Sequence, residues 1–222
     1  MQFRADKKYG FGLKGTCRLP VGEQNRCVFA SATSSDAAGI AFTVERVAMH
    51  LPLLGQFNIY NALCAIVTAH SFGVSADSAK EALKKISEIP GRMKFVQSGQ
   101  KFSAVIDLAH TPSSFEAVFD AAQLIRKDKG RIIAVFGAAG GGRDKWKRPE
   151  LGKIAAQKAD YIILTNEDPY DEVPREILEQ IKGGITATSF KGPVELIEDR
   201  TLAIHHAVNL ARWNDVVLFL GK

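Results

Sequence analysis

The sequence predicts an α/β protein: a mainly parallel sheet over residues 91–222, preceded by a β-rich and then helical segment over residues 1–90. Three observations carry this. Beyond Arg92, short runs of consecutive apolar residues alternate with helix patterns, as in a sheet buried on both faces. Before Gln56 the apolar residues show partial two-residue alternation, broken by Gly and Ser clusters. Between the two lies Glu88-Ile-Pro90-Gly91-Arg92-Met93, where Pro-Gly ends a helix and the chain changes character.

Residues 26–30 and 41–50 read as strands, separated by a turn cluster over 31–39. Gly10-Phe-Gly12-Leu-Lys-Gly15 fits the G-x-G-x-x-G pattern. The residues before it are charged and no helix pattern follows, so these read as loop glycines rather than a dinucleotide site. Residues 56–72 form a helix that is apolar on nearly every face and so buried, with Gly73 as a left-handed stop. Ser75 caps a second helix that aligns Ala79, Ala82, Leu83 and Ile86 on one face.

After the break, strand 102–107 leads to helix 113–125, strand 131–136 to helix 149–158, and strand 161–165 to helix 174–182. A weak strand follows at 185–190. Helix 199–212, capped by Asp199, turns Ile204, Ala207, Val208 and Ala211 inward, and strand 216–220 closes the series. Right-handed crossovers put the carboxyl ends of such strands on one rim, where open α/β sheets hold their ligands.

At 222 residues, 46% hydrophobic and 24% charged, the chain can bury a real core. Its longest apolar run is too short to span a bilayer, and its first residues lack a secretory core, so a cytoplasmic protein without membrane insertion is expected. Three scattered cysteines (Cys17, Cys27 and Cys64) suit reduced thiols better than disulfides or a zinc site. A net charge of +5 favours an anionic ligand such as a nucleotide; no nucleic-acid motif accompanies it.

The strand-end loops gather the candidate residues. The first supplies Asp107 and His110, with Pro112 opening the next helix. The second is Gly137-Ala-Ala-Gly-Gly-Gly142-Arg143-Asp144-Lys145, and the third is Asn166-Glu167-Asp168-Pro169-Tyr170. Glycines allow backbone amides to approach a phosphate, and Lys or Arg neutralises it. Arg143 can grip a carboxylate with two hydrogen bonds, and Asp168 can hold an ammonium group. This rim suits a phosphorylated ligand together with an amino acid. Simpler readings stand beside it: Asp107 satisfying backbone groups, and the glycines making a tight turn before a solvated basic run. Asn58 and Asn61, one helical turn apart, either cap the buried helix or face a ligand. His205-His206 reads as a solvated pair, and no metal site is expected.

Six stretches in order resemble the Mur ligases: residues 54–62, Pro90-Gly91-Arg92-Met93, Asp107-Leu-Ala-His110-Thr-Pro112, residues 140–149, Glu167-Asp168-Pro169, and Asp199-Arg200. The form of the third stretch is similar to the member that adds the third residue of the peptidoglycan stem peptide. The resemblance implies that residues 1–90 are the end of the family's central ATP-binding domain. It implies that 91–222 are its Rossmann-like C-terminal domain, cut after Gly221-Lys222. It further implies an ATP- and Mg²⁺-dependent ligase, expected to be a monomer, that joins a free amino acid to UDP-N-acetylmuramoyl-dipeptide through an acyl phosphate. Asn58, Asn61, Arg92, Asp107 and His110 would face the nucleotide. Lys145 would approach the phosphates, and with His110 would serve catalysis. Arg143, Asp144, Asp168, Pro169 and Tyr170 would hold the amino acid. The family's Walker loop does not occur in this sequence, so ligase activity is not expected of these 222 residues by themselves.

Two departures are visible. Diaminopimelate-adding members carry Asp-Asn-Pro-Arg where this chain has Glu167-Asp168-Pro169-Tyr170, and a tyrosine cannot supply the arginine's charge. In the glycine loop, Gly142 and Trp146 stand where Asp and Gly are common. The alternatives are a related Mur-like amidating or folate-polyglutamylating ligase, and a non-catalytic module binding a nucleotide or amino acid.

Overall fold

In the computed structural model, which describes residues 7–13, 26–142 and 144–221, the chain divides into two units, Met1–Glu88 and Ile89–Lys222. The first unit holds strands β1 (Tyr9–Leu13), β2 (Arg26–Asp36), β3 (Gly39–Val44) and β4 (Val47–Leu51), followed by helices α1 (Phe57–Ser71) and α2 (Ala76–Leu83). The sheet order is β1-β2-β3-β4, with β1 parallel to β2 and the other pairs antiparallel. Val28, Ile40, Phe42 and Val44 from the strands and Ile59, Leu63 and Ile66 from α1 are buried.

Four details of this unit differ from the sequence reading. Gly10 and Gly12 are not loop glycines but lie in β1, paired with Cys27 and Phe29. The Ser-rich stretch 31–36 is strand rather than turn. It pairs with β3 through a register shift between Ser31 and Ser34, and the turn shrinks to Ala37-Ala38, whose second amide donates to Asp36 Oδ1 at 2.8 Å. The single strand expected over 41–50 is a hairpin, because Glu45 and Arg46, at φ 49° and 71°, make the left-handed two-residue turn that matches strand twist. Cys27 is disulfide-bonded, contrary to the expected reduced thiols. Cys64 is free and exposed, and Cys17 lies outside the described residues.

The second unit runs β5 (Lys94–Val96), β6 (Ser103–Asp107), α3 (Pro112–Ile125), β7 (Ile132–Phe136), α4 (Lys147–Lys158), β8 (Tyr161–Leu164), α5 (Pro174–Thr186), β9 (Val194–Leu196), α6 (Arg200–Leu210) and β10 (Val216–Leu220). The strand order is β5-β6-β10-β7-β8-β9; only β5 is antiparallel to its neighbour. Right-handed crossovers from β6 outward to β9 place α3, α4 and α5 on one face, and the return to β10 places α6 on the other. Packing agrees: Phe115 of α3 meets Phe136 edge-on at 5.0 Å, whereas Ala203 and Ala207 of α6 share a core with Ile133, Val135, Ile163 and Val217.

The strand expected at 185–190 does not form. Ile185 continues the buried face Ile177, Leu178, Ile181 of α5, so helix spacing wins over local β-propensity. The edge strand comes later, at β9. The inward seam of α6 is Ala203 and Ala207, while Val208, expected to face inward, is 40% exposed.

Candidate functional site

The carboxyl ends of β6, β7, β8 and β10 form one rim, and Asp107 closes β6 there. Its side chain is buried. Oδ2 accepts the Met93 amide and Oδ1 the Ala109 amide, each at 2.8 Å, while Gly91 O accepts the Leu108 amide at 2.9 Å. Gly91 (φ 69°) and Met93 (φ 46°) are both left-handed, so the carboxylate stitches the Pro90–Met93 turn onto the end of β6. Burial pushes the Asp107 pKa up, against the two amides and the Arg92 guanidinium that pull it down. The structure thus realises the backbone-satisfying reading of Asp107 and makes it the support of the turn that carries Arg92.

Arg92 is half-buried, with one guanidinium nitrogen 3.3 Å from Gly91 O. His110 is exposed, and its Nδ1 lies 2.9 Å from Leu108 O. A carbonyl only accepts, so Nδ1 bears the hydrogen and a neutral ring presents its lone pair at Nε2. Thr111 then caps α3 in a reciprocal box with Ser114, and Pro112 occupies the first turn.

The glycine loop follows β7. A Cβ on Gly137 would sit 2.1 Å from Thr165 O, and one on Gly140 would sit 2.0 Å from Pro169 O. Only glycine lets this loop lie on the loop after β8. Two of its amides are committed within the chain: Gly140 donates to Asp168 O at 2.8 Å, and Gly142 to Glu172 Oε1 at 2.8 Å. The expected phosphate cradle therefore does not include those two amides. Arg143 lies outside the described residues.

Glu172 and Arg148 hold the loop, a role that local sequence spacing does not reveal. Arg148 is completely buried. It grips both Glu172 oxygens at 2.9 Å and also donates to Ala139 O at 3.0 Å and Gln180 Oε1 at 2.8 Å. Lys145 reaches Glu172 Oε2 at 3.0 Å. The Arg148 guanidinium, the Gly142 amide and Lys145 together hold the Glu172 carboxyl far below the usual carboxylate range. Asp144 and Tyr170, both exposed, take left-handed backbone at φ 52°. With Met93, three non-glycine residues thus border this rim in a conformation that costs energy. Tyr170 packs over Gly141, Asp168 is exposed, and Pro169 O accepts the Glu172 amide at 3.0 Å.

Glu167, quoted in the third loop but given no role by the sequence reading, is a rim group. Burial raises its pKa, against Arg200, Lys147 and His110, which lower it. Its Oε2 is buried with no hydrogen-bond partner among the described residues. A Cβ on Gly221 (φ 91°) would stand 2.7 Å from that oxygen, so the carboxylate reaches back over the end of β10. Arg200 ties the rim together by donating to Asn166 O at 3.2 Å and Leu220 O at 3.0 Å. Away from the rim, His206 is not a purely solvated residue, because its Nε2 lies 3.1 Å from Glu195.

Asn58 and Asn61 belong to the first unit. Asn58 is fully buried; its Nδ2 donates to Leu54 O at 2.7 Å and its Oδ1 accepts from Asn61 Nδ2 at 2.9 Å. Asn58 therefore fixes the entry to α1, and Asn61 is the exposed member of the pair.

Residues 91–222 match the family model "Mur ligase, glutamate ligase domain". The chain is 39% identical over 201 residues to a UDP-N-acetylmuramoyl-L-alanyl-D-glutamate–2,6-diaminopimelate ligase of Caldanaerobacter subterraneus subsp. tengcongensis, covering 88% of this chain and 40% of that protein. It is 38% identical over 208 residues to a UDP-N-acetylmuramyl-tripeptide synthetase of Treponema denticola, covering 90% and 39%. A solved structure of a UDP-N-acetylmuramoyl-L-alanyl-D-glutamate–2,6-diaminopimelate ligase superposes with a TM-score of 0.56 at 29% identity, over 88% of this chain and 40% of that one. The chain thus spans about 40% of the length of the relatives it matches.

Proposed function

The chain belongs to the Mur ligase, glutamate ligase domain family, and from that premise we propose that it is part of an ATP-dependent ligase of peptidoglycan precursor synthesis. The ligase would join a free amino acid to UDP-N-acetylmuramoyl-dipeptide. In this reading residues 1–90 end the central ATP-binding domain and 91–222 form the C-terminal domain. The observation that carries it is the family match over 91–222, whose rim gathers cations and carboxylates suited to a phosphorylated ligand and an amino acid.

ATP, when bound, supplies the phosphoryl group that turns a poor electrophile, the peptide carboxylate, into an acyl phosphate. The chain's own residues bind and orient. Arg92, on the turn held by Asp107, and Lys145 offset negative charge at the rim. His110 presents Nε2 as a proton acceptor. Asp168 holds the ammonium of the amino acid, with Asp144, Pro169 and Tyr170 around it, and the resemblance assigns Arg143 to the same ligand. Among the described residues no cluster of three or more His, Cys, Asp or Glu offers a metal site, so no residue here is assigned to Mg²⁺.

The relatives' names point to diaminopimelate or leave the amino acid open, and Tyr170 brings no charge for a distal carboxylate. The test is calorimetric titration of the chain with L-lysine and with meso-diaminopimelate. Binding of either that is lost in Asp168→Ala supports the reading. Absence of any amino-acid binding at millimolar concentrations refutes the amino-acid role of this rim.

A further inference from the structure

The donors that converge on Glu172 fall into two sets. Oε1 accepts the Gly142 amide at 2.8 Å and one Arg148 nitrogen at 2.9 Å. Oε2 accepts the other Arg148 nitrogen at 2.9 Å and pairs with the Lys145 ammonium at 3.0 Å. Each oxygen thus has one donor from Arg148, which is completely buried, and one from the exposed end of the glycine loop. Gly142, at φ 71°, has open space where a Cβ would stand, and the Lys145 side chain is 53% exposed. A ligand arriving from solvent can take the Gly142 and Lys145 donors. It cannot reach Arg148.

The exposed pair is an anion-binding arrangement filled from within. A backbone N–H and an ammonium meet the two oxygens of one carboxylate, and a phosphoryl group offers a similar pair of oxygens to the same kinds of donor. The geometry also permits exchange. The ion pair is solvent-exposed on the lysine side, where such pairs are worth little. Arg148 keeps Glu172 by two hydrogen bonds of its own, and Ala139 O and Gln180 Oε1 fix the guanidinium at 3.0 and 2.8 Å. The carboxylate therefore stays paired after the outer donors leave. Charge sets the direction of exchange, because a phosphoryl group carries ~1.5–2 negative charges at pH 7 and a carboxylate carries one.

We propose that Glu172 is a resident anion on the glycine loop: an autoinhibitory contact in which its carboxylate occupies the Gly142 amide and the Lys145 ammonium until a phosphoryl group replaces it there. Arg148 is the positioning residue that keeps Glu172 beside the loop in both states. The inference rests on the ligase reading for the source of the phosphoryl group; the exchange itself needs no turnover.

The full 222-residue chain is titrated with inorganic phosphate at fixed ionic strength, so that general screening of ion pairs is constant. Glu172→Gln keeps an oxygen for Arg148 and removes the competing charge. It should bind phosphate about tenfold more tightly than wild type, the factor carried by one charge-assisted hydrogen bond. Glu172→Gln combined with Lys145→Met should lose that gain. A glutamate that merely braced the loop would give the opposite sign, since its loss would scatter the donors and weaken binding. Acetate, a monoanion like Glu172 itself, should gain less than phosphate. ATP titrated in parallel separates the sources, because an affinity above that of phosphate assigns the group to a nucleotide. Where Glu172→Gln does not fold, the wild type decides: its Gly142 amide and Lys145 side-chain resonances should move together, with one apparent Kd, at high phosphate, and resonances that stay still overturn the proposal. A folded Glu172→Gln chain that binds phosphate no better than wild type also overturns it, as does an equal gain for acetate. If Glu172→Gln gains phosphate and no amino acid binds, the contact stands while the amino-acid role of the rim falls. If an amino acid binds and the variant gains no phosphate, the reverse holds.

Discussion

Asp107→Ala isolates what the carboxylate at the end of β6 does. The substitution leaves the Met93 and Ala109 amides, each now 2.8 Å from a carboxylate oxygen, without their acceptors in a buried corner. An unsatisfied buried donor costs ~1–3 kcal/mol, so two cost ~2–6 kcal/mol. Against that, the variant no longer buries a carboxylate whose pKa is raised mainly by burial, so a net loss of ~2–4 kcal/mol is expected. At ~2–4 °C per kcal/mol this lowers Tm by ~10 °C. Asp107→Asn should lose less, because its carbonyl oxygen can still serve one amide. The pH dependence has a definite sign. With the folded pKa above the unfolded value, the stability from Asp107 titration is fully present below the unfolded pKa and lost as pH rises through the folded one. The gap between wild type and Asp107→Ala should therefore widen as pH falls from neutrality. Circular dichroism melts of both proteins across that range, with hydrogen exchange at the Met93 amide, measure this. A variant that melts within a degree of wild type, with Met93 still protected, would mean that the turn carrying Arg92 stands without the carboxylate.

Three further outcomes follow from the same geometry. Asp215 is buried and accepts from the Arg131 amide and guanidinium and from the Arg212 amide at 2.7–3.1 Å. Burial pushes its pKa up, but the Arg131 side chain and the two amides outweigh that and lower it. Its contribution is present above the unfolded pKa and lost as pH falls through the folded one, so Asp215→Asn should flatten acid unfolding followed by fluorescence. Gly183 and Gly184 form a matched pair on α5. A Cβ at Gly184 would meet Pro149 O at 1.9 Å, whereas one at Gly183 meets nothing within 4 Å. Gly184→Ala should destabilise by ~1–3 kcal/mol and Gly183→Ala should stabilise by up to ~1 kcal/mol, both read from urea midpoints. Glu172→Gln should raise hydrogen exchange at the Gly142 amide while α4 and α5 stay protected. Unchanged exchange at Gly142 would show that the loop is held by its glycine contacts alone.

The alternating elements of the second unit were legible because each strand from β6 to β8, and β10, is a run of apolar residues flanked by helix signals. The edge strands β5 and β9 were not: Lys94-Phe-Val and Val-Glu-Leu are three residues long and carry no period. Residues 31–36 read as a turn because Ser and Thr dominate them, yet their alternating exposure in β2 is that of a half-solvated strand. The rim was legible in outline, since strand-end loops must meet there. What its side chains do was not, because it depends on partners far apart in sequence. Nothing local to Glu172 announces that Arg148, 24 residues earlier, will take both its oxygens.

The run Arg143-Asp-Lys145-Trp-Lys147-Arg148 shows most directly where sequence reading stops. As letters it is one basic patch, and its lysines look equivalent. Helix α4 begins inside it, at Lys147, and helical spacing then sorts the charges. Arg148 falls on the stripe continued by Leu151, Gly152 and Ala155, all buried, so its guanidinium is carried inward to Glu172. Lys147 shares the neighbouring stripe with Leu151 and Ile154, so its stem is buried, while its ammonium lies 4.0 Å from Asp144 Oδ2. Lys145 precedes the helix, stays half exposed and is neutralised by Glu172. The resemblance singled out Lys145 as the cation that approaches phosphate. For an incoming anion, however, Lys145 must first be drawn from a carboxylate already held deep in its charged form.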